Sequence, residues 1–158
     1  MIKLANFFVS LSFAGYIKLI PPGTFASFLS IVILFPIVEY KIISLEIFVA
    51  IFFVIFLLSL FFINQFSSHT QSHDSKIIVI DEFLGIYLIL LFYDQIKIIN
   101  PYVTMMLIFI LFRFFDILKI FPANIIDKKL KSAFGVILDD LIAGMYTIII
   151  LYFLNAYY

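Results

Sequence analysis

"SLEIFVAIFFVIFLLSLFFI", residues 44–63, is a run of 20 residues whose one charged group, Glu46, stands near its start. A helix of about 17 to 25 apolar residues crosses a hydrocarbon core of roughly 30 Å, so this stretch predicts a membrane span. The rest of the chain has the same character: of 158 residues 65% are hydrophobic, 20% aromatic and only 13% charged, with a mean hydropathy of +1.23. That composition belongs to a membrane protein.

Outward from this stretch lie four more apolar runs, at residues 25–40, 77–93, 102–120 and 136–158. Those at 102–120 and 136–158 are also long enough to span. The run at 25–40 is short and contains Pro36, and that at 77–93 reaches spanning length only by including Asp81 and Glu82. Either of these two can be partly re-entrant or packed inside the others, because irregular backbone at membrane depth must be buried in protein. The predicted fold is all-α: a small multi-pass membrane bundle of about five helices, one membrane-embedded domain over residues 1–158. Residues 4–20 carry Asn6, Ser10, Ser12 and Lys18 and end at Pro21-Pro22, which suits an interfacial amphipathic helix as well as a span. Lys3 before this apolar segment gives it the look of a signal sequence. No small-x-small cleavage site follows, so the segment is expected to be retained.

Ten basic residues balance ten acidic ones, so no bulk attraction to nucleic acid is implied. Cysteine is absent, which excludes disulfides, a thiol nucleophile and thiolate metal sites. No Gly-rich nucleotide loop is visible. The information therefore lies in where the charges stand. Five passes with turns near residues 39–46 and 94–101 place residues 1–24, 64–82 and 119–135 on one side. That side holds Lys3, Lys18, Lys76, Lys119, Lys128, Lys129 and Lys131, against Lys41 and Lys97 on the other. The positive-inside rule makes the lysine-rich side cytoplasmic.

On that side gather "PPGT" (21–24), "DEFLG" (81–85), "RFFDILK" (113–119), Asp127 and the pair Asp139-Asp140. Ionisable groups at the edge of hydrocarbon cost a few kcal/mol each on insertion scales, so several acids there require partners or a task. Arg113, Asp116 and Lys119 are spaced by three and share one helix face, as a salt-bridge ladder would or as a site would. Asp139 and Asp140 point about 100° apart on a helix, so one can be a ligand while the other holds a neighbour. They can equally be first-turn acids favoured by the helix dipole. Gly85, one turn after Asp81, leaves room for close approach by another helix. Converging carboxylates suit a hard cation such as Mg²⁺, and Arg and Lys suit phosphate oxygens, so the combination points to phosphoryl chemistry. Pro22-Gly23-Thr24 offers backbone N–H groups and a hydroxyl to a phosphate, or else is a turn with Thr24 as helix N-cap. His69 and His73 are four apart in "NQFSSHTQSHD" and could share a metal on a helix; a hydrated loop is the plainer reading, and it leaves Asp74 a secondary candidate. Glu39, Glu46, Asp94 and Lys97 read as solvated helix ends, and the terminal tyrosines as interfacial belts.

Four stretches taken together, "PPGTFAS", "HDSKIIVIDEFLG", "FRFFDILKIFP" and "FGVILDDLIAG", resemble the phosphatidylglycerophosphatase A family in content, order and spacing, over about residues 20–150. The resemblance implies a Mg²⁺-dependent hydrolase of the bacterial inner membrane, with its site facing the cytoplasm, acting in phospholipid biosynthesis. Its substrate would be the membrane lipid phosphatidylglycerophosphate, whose terminal phosphate it removes to leave phosphatidylglycerol. The matching acids are Asp81, Glu82, Asp116, Asp127, Asp139 and Asp140; of these Asp81, Glu82, Asp116, Asp139 and Asp140 are expected to be the metal and catalytic set, with Asp127 and Asp74 as secondary candidates. Arg113, Lys119, Gly23 and Thr24 match as phosphate-binding positions. Attack by water and an aspartyl-phosphate intermediate both fit these residues. The chain departs from the family pattern at Ala26, at "KIFP" (119–122) and at Ser132-Ala133, where glycines or a further proline are usual, so the loop shape around the phosphate is expected to differ. Two other functions use the same acids: a small ion or proton transporter, and another lipid-head phosphotransfer enzyme. The transporter requires carboxylates spread through membrane depth.

Overall fold

The computed structural model describes residues 2–17, 19–70, 75–98 and 100–157, with the side chains of Ile2, Asp127 and Lys128 outside the description. The helices are α1 (Ile2–Val9), α2 (Pro22–Glu39), α3 (Leu45–Thr70), α4 (Ile80–Leu91), α5 (Tyr93–Ile96), α6 (Pro101–Leu118), α7 (Ala123–Lys129) and α8 (Ala133–Tyr157). Among them α2, α3, α6 and α8 are long and apolar enough to cross a membrane.

The ends of these helices follow from local sequence. Pro22 occupies the first turn of α2, where its missing N–H costs nothing. The N-cap is Pro21 and has no side-chain cap, so Thr24 lies inside the first turn; the N-cap role expected for it is not what the backbone adopts. Asn100 caps α6, its Oδ1 accepting from the N–H of Tyr102 at 2.9 Å and of Val103 at 3.4 Å, with Pro101 next. Lys119 ends α6 in a left-handed conformation, φ 44° and ψ 59°. Ser132, one of the departures from the family pattern, accepts from Gly135 N–H at 3.2 Å at the start of α8.

The run at 77–93 becomes the centre of the molecule. Helix α4 has 12 residues, about 18 Å at 1.5 Å per residue, too short to cross hydrocarbon alone. Nine of those residues are buried, from Ile80 to Leu90, and α2, α3, α6 and α8 surround it. Its ends are therefore held in protein rather than lipid. The largest interface joins α4 to α8. A Cβ on Gly85 would lie 2.6 Å from the Phe112 ring and 3.0 Å from the Asp140 carbonyl oxygen, and one on Gly144 would lie 3.0 Å from the Gly85 carbonyl. The two backbones meet because both residues lack side chains. Towards the far end of α4, Tyr87 stacks on Phe48 at 4.3 Å and donates to the Phe48 carbonyl at 2.9 Å. The outward faces are apolar, as lipid contact requires: on α3, Ile47, Phe53, Val54, Leu57 and Phe61 are exposed.

Residues 4–20 do not form one helix. The chain leaves α1 through Leu11, Ser12 and Phe13, all with positive φ, and makes a 3₁₀ turn at Ala14–Tyr16. Helix α1 covers only about 12 Å and packs on α3, with Ala5 and Val9 fully buried. Likewise "NQFSSHT" continues α3 to Thr70 instead of forming a loop, so His69 is helical; His73 and Asp74 lie outside the described residues.

Candidate active site

The first turns of α2 and α4, the last turn of α6 and the N-terminal part of α8 meet at one end of the bundle around an open cavity of about 1300 Å³. Gly23, Asp81, Glu82, Arg113, Asp116, Lys119, Asp139 and Asp140 all line it. Stretches more than a hundred residues apart in sequence thus share one mouth. Thr24 is absent from the lining, the Asp127 side chain lies outside the description, and so does Asp74.

The charges within the mouth divide by their partners. Arg113 Nη1 forms a short ion pair with Asp116 Oδ2 one turn along α6, and lies 3.8 Å from Glu82 Oε1 and 3.4 Å from Ser27 Oγ. Lys119 Nζ donates to Asp139 Oδ2 at 2.8 Å, tying the end of α6 to α8. Asp116 and Asp139 are therefore neutralised by cations. Asp81, Glu82 and Asp140 form the remaining group, with a carboxylate oxygen from each within 4.8 Å of the others. Asp81 is 9% exposed and Asp140 4%. Asp81 Oδ1, Glu82 Oε2 and Asp140 Oδ1 are buried without a hydrogen-bond partner.

An orphaned buried carboxylate oxygen costs several kcal/mol, and three converging ones repel each other as well. A hard divalent cation accepts such oxygens, so the trio fits Mg²⁺ by donor type, number and convergence. The neighbouring residues Asp139 and Asp140 have different surroundings, one against a lysine and one in the trio.

Gly23 explains how Glu82 reaches the trio. A Cβ at this position would stand 1.9 Å from Glu82 Oε1 and 3.2 Å from Arg113 Nη1. The bare glycine lets the carboxylate lie against the N-terminal turn of α2, where the helix dipole favours negative charge. Ser27, one turn further along α2, escaped sequence reading; its place on the Gly23 face was the available signal. Lys76 and Lys131 also line the cavity, although sequence alone marked them only as side-determining charges.

The chain is similar to known proteins over most of its length. A family model described as Phosphatidylglycerophosphatase A matches residues 7–155. The chain is 30% identical to the Phosphatidylglycerophosphatase A of Haemophilus influenzae over 131 residues, covering 83% of this chain and 77% of that protein. It is 26% identical to the Escherichia coli protein of the same name over 158 residues, covering 98% and 87%. No solved structure matches the chain.

Proposed function

The chain belongs to the phosphatidylglycerophosphatase A family, and from that premise we propose that its charged mouth is the site of lipid phosphate hydrolysis. The reaction removes the terminal phosphate monoester of phosphatidylglycerophosphate and leaves phosphatidylglycerol and inorganic phosphate. The observation that carries the assignment of the site is the trio of buried, unpartnered carboxylate oxygens on Asp81, Glu82 and Asp140.

These three residues would hold Mg²⁺, which when bound supplies positive charge against the phosphate oxygens and Lewis acidity at phosphorus. The other residues act around that centre. Arg113 is fixed by Asp116 with its guanidinium facing the cavity, so its remaining N–H groups can orient a phosphate oxygen. Lys119, held by Asp139, neutralises charge beside the same phosphate. The first-turn N–H of Gly23 is a further donor at the α2 N-terminus. Thr24 lies outside the cavity lining.

A transporter relaying ions through acids would need ionisable groups along the bundle. From residue 83 to 93, 101 to 112 and 141 to 157 the chain carries no acid, lysine, arginine or histidine. The charges gather at the two ends, which favours a site over a path. The family's membrane setting and the lysines around the mouth support an inner-membrane protein whose site faces the cytoplasm.

The decisive test is phosphate release from phosphatidylglycerophosphate by the purified protein in detergent, with Mg²⁺ and after chelation, beside Asp140→Asn. Release that needs metal and vanishes in the variant supports the site. Full release from the variant removes Asp140 and the trio from the chemistry.

A further inference from the structure

Arg113 and Lys119 are both engaged with carboxylates inside the mouth. Lys76 and Lys131 line the same cavity, are exposed, and form no ion pair among the described residues. They stand on the segments that lead into α4 and α8, the two helices that carry the trio.

Both segments are held in place. Ile78 N–H donates to Ser75 carbonyl at 2.8 Å and Val79 N–H to Val9 carbonyl at 2.9 Å. Gly15 presses on the same strip, since a Cβ there would lie 2.2 Å from the Ile77 carbonyl oxygen. On the other side Ser132 N–H donates to Leu130 carbonyl at 2.8 Å, and a Cβ on Gly135 would meet that carbonyl at 1.9 Å. The two lysines therefore project from fixed backbone at the rim.

The substrate carries two phosphates, of which only the terminal monoester is removed. The phosphodiester that remains in the product lies one glycerol away. Counted formally, the five carboxylates inside the mouth against Arg113 and Lys119 leave an excess of three negative charges, with Lys76 and Lys131 the further cations of the lining. That interior has no charge to spare for a second anion. The cavity, at about 1300 Å³, holds much more than one phosphate group.

We propose that Lys76 and Lys131 form an outer clamp for the phosphodiester of the lipid, placing the monoester one glycerol further in, at the carboxylate trio. The proposal rests on the phosphatase reading above. The clamp makes the enzyme selective for head groups bearing both a diester and a terminal monoester, and it retains contact with the product until the lipid diffuses away.

The test compares wild type with the Lys76→Gln/Lys131→Gln double variant in uncharged detergent, with Lys76→Arg/Lys131→Arg as the charge-preserving control. Binding of short-chain phosphatidylglycerol, which has the diester and no monoester, is measured by equilibrium dialysis. Exposed ion pairs contribute up to about fivefold each, so the double Gln variant should bind up to about tenfold more weakly and the Arg variant close to wild type. For phosphatidylglycerophosphate, KM should rise up to about tenfold while kcat moves by less than about twofold. Unchanged phosphatidylglycerol binding overturns the clamp. A fall in kcat at unchanged KM also overturns it, since the lysines would then act on the reacting phosphate. Absence of phosphate release from wild type would instead sink the phosphatase reading, while the dialysis result still judges the clamp.

Discussion

Asp81, Glu82 and Asp140 each keep one buried oxygen without a partner, although Arg113 and Lys119 stand within the same mouth. Lys119 is engaged by Asp139, and Arg113 by Asp116 with Glu82 at 3.8 Å, so five carboxylates share two cations and the trio is under-neutralised without metal. Removing one negative charge should therefore relieve repulsion even as it destroys a ligand. Asp140→Asn and Asp81→Asn are expected to unfold at higher temperature than wild type in chelator and to release phosphate at least about a hundredfold more slowly, the scale of losing a key electrostatic contact. They should also lose the rise in unfolding temperature that Mg²⁺ gives wild type by mass action. Thermal unfolding in detergent, with and without metal, checks both points; a variant destabilised in chelator would mean that the carboxylate is satisfied within the protein. Asp139→Asn should behave differently, because it breaks the 2.8 Å bridge to Lys119 and leaves the trio complete. Its metal-induced stabilisation should persist while phosphate release falls by about ten- to a hundredfold, from loss of a charge-assisted hydrogen bond of about 1.5 to 3 kcal/mol. The divergence of this pair was legible in sequence from the 100° step between helical neighbours. Which acid met the lysine was not, because that depends on how far α6 reaches before Lys119 turns into its left-handed conformation.

Helix α4 brings these residues together, and it does so through glycine. Its short length, its two acids and Gly85 were visible as a pattern that could not span hydrocarbon unaided. The enclosure by α2, α3, α6 and α8 was not visible, since a uniformly apolar segment carries no face that names its neighbours. The same reasoning accounts for residues 4–20, whose polar residues and prolines marked an interrupted segment without specifying the left-handed turn at Leu11–Phe13. The contact of α4 with α8 yields a prediction free of chemistry. Gly85→Ala would gain up to about 1 kcal/mol of helix propensity. Its Cβ would meet the Phe112 ring at 2.6 Å and the Asp140 carbonyl at 3.0 Å, and overpacking of this kind costs about 1 to 3 kcal/mol. The cost wins, so the variant should lose stability and phosphate release together, because the shift moves Asp140 away from Asp81. Gly23→Ala should separate the two effects. There the obstructed atom is the end of a Glu82 side chain, which can rotate away, so unfolding temperature should change little while metal-dependent stabilisation and activity fall. Equal loss of stability in both variants would show that Gly23 is a packing residue only.

At the scale of the whole molecule, every ionisable side chain in the described bundle belongs to one of two ends. One end holds the mouth; at the other Glu39 accepts from Lys97 at 2.9 and 3.0 Å and from Tyr93, and Lys41 lies 3.8 Å from Asp94. This polarity was legible before any coordinates, because charged residues fall towards the ends of apolar runs, and alternating passes sort those ends into two sets. The depth and contents of the mouth were not, since they require the register of four helices around α4. The lysine excess around the mouth predicts its orientation by the positive-inside rule. The absence of cysteine makes that prediction direct to check. Asn124→Cys places a thiol on exposed α7 beside the mouth, and Ile42→Cys places one in the exposed turn at the opposite end. In intact cells a membrane-impermeant maleimide should label Ile42→Cys and spare Asn124→Cys, and in inverted membrane vesicles the pattern should reverse. A mouth facing outward would give the opposite labelling, and would mean that the lipid is dephosphorylated in the outer leaflet of its membrane. Labelling of both positions from the same side would contradict the five alternating passes expected from the sequence, three of which lie between these positions.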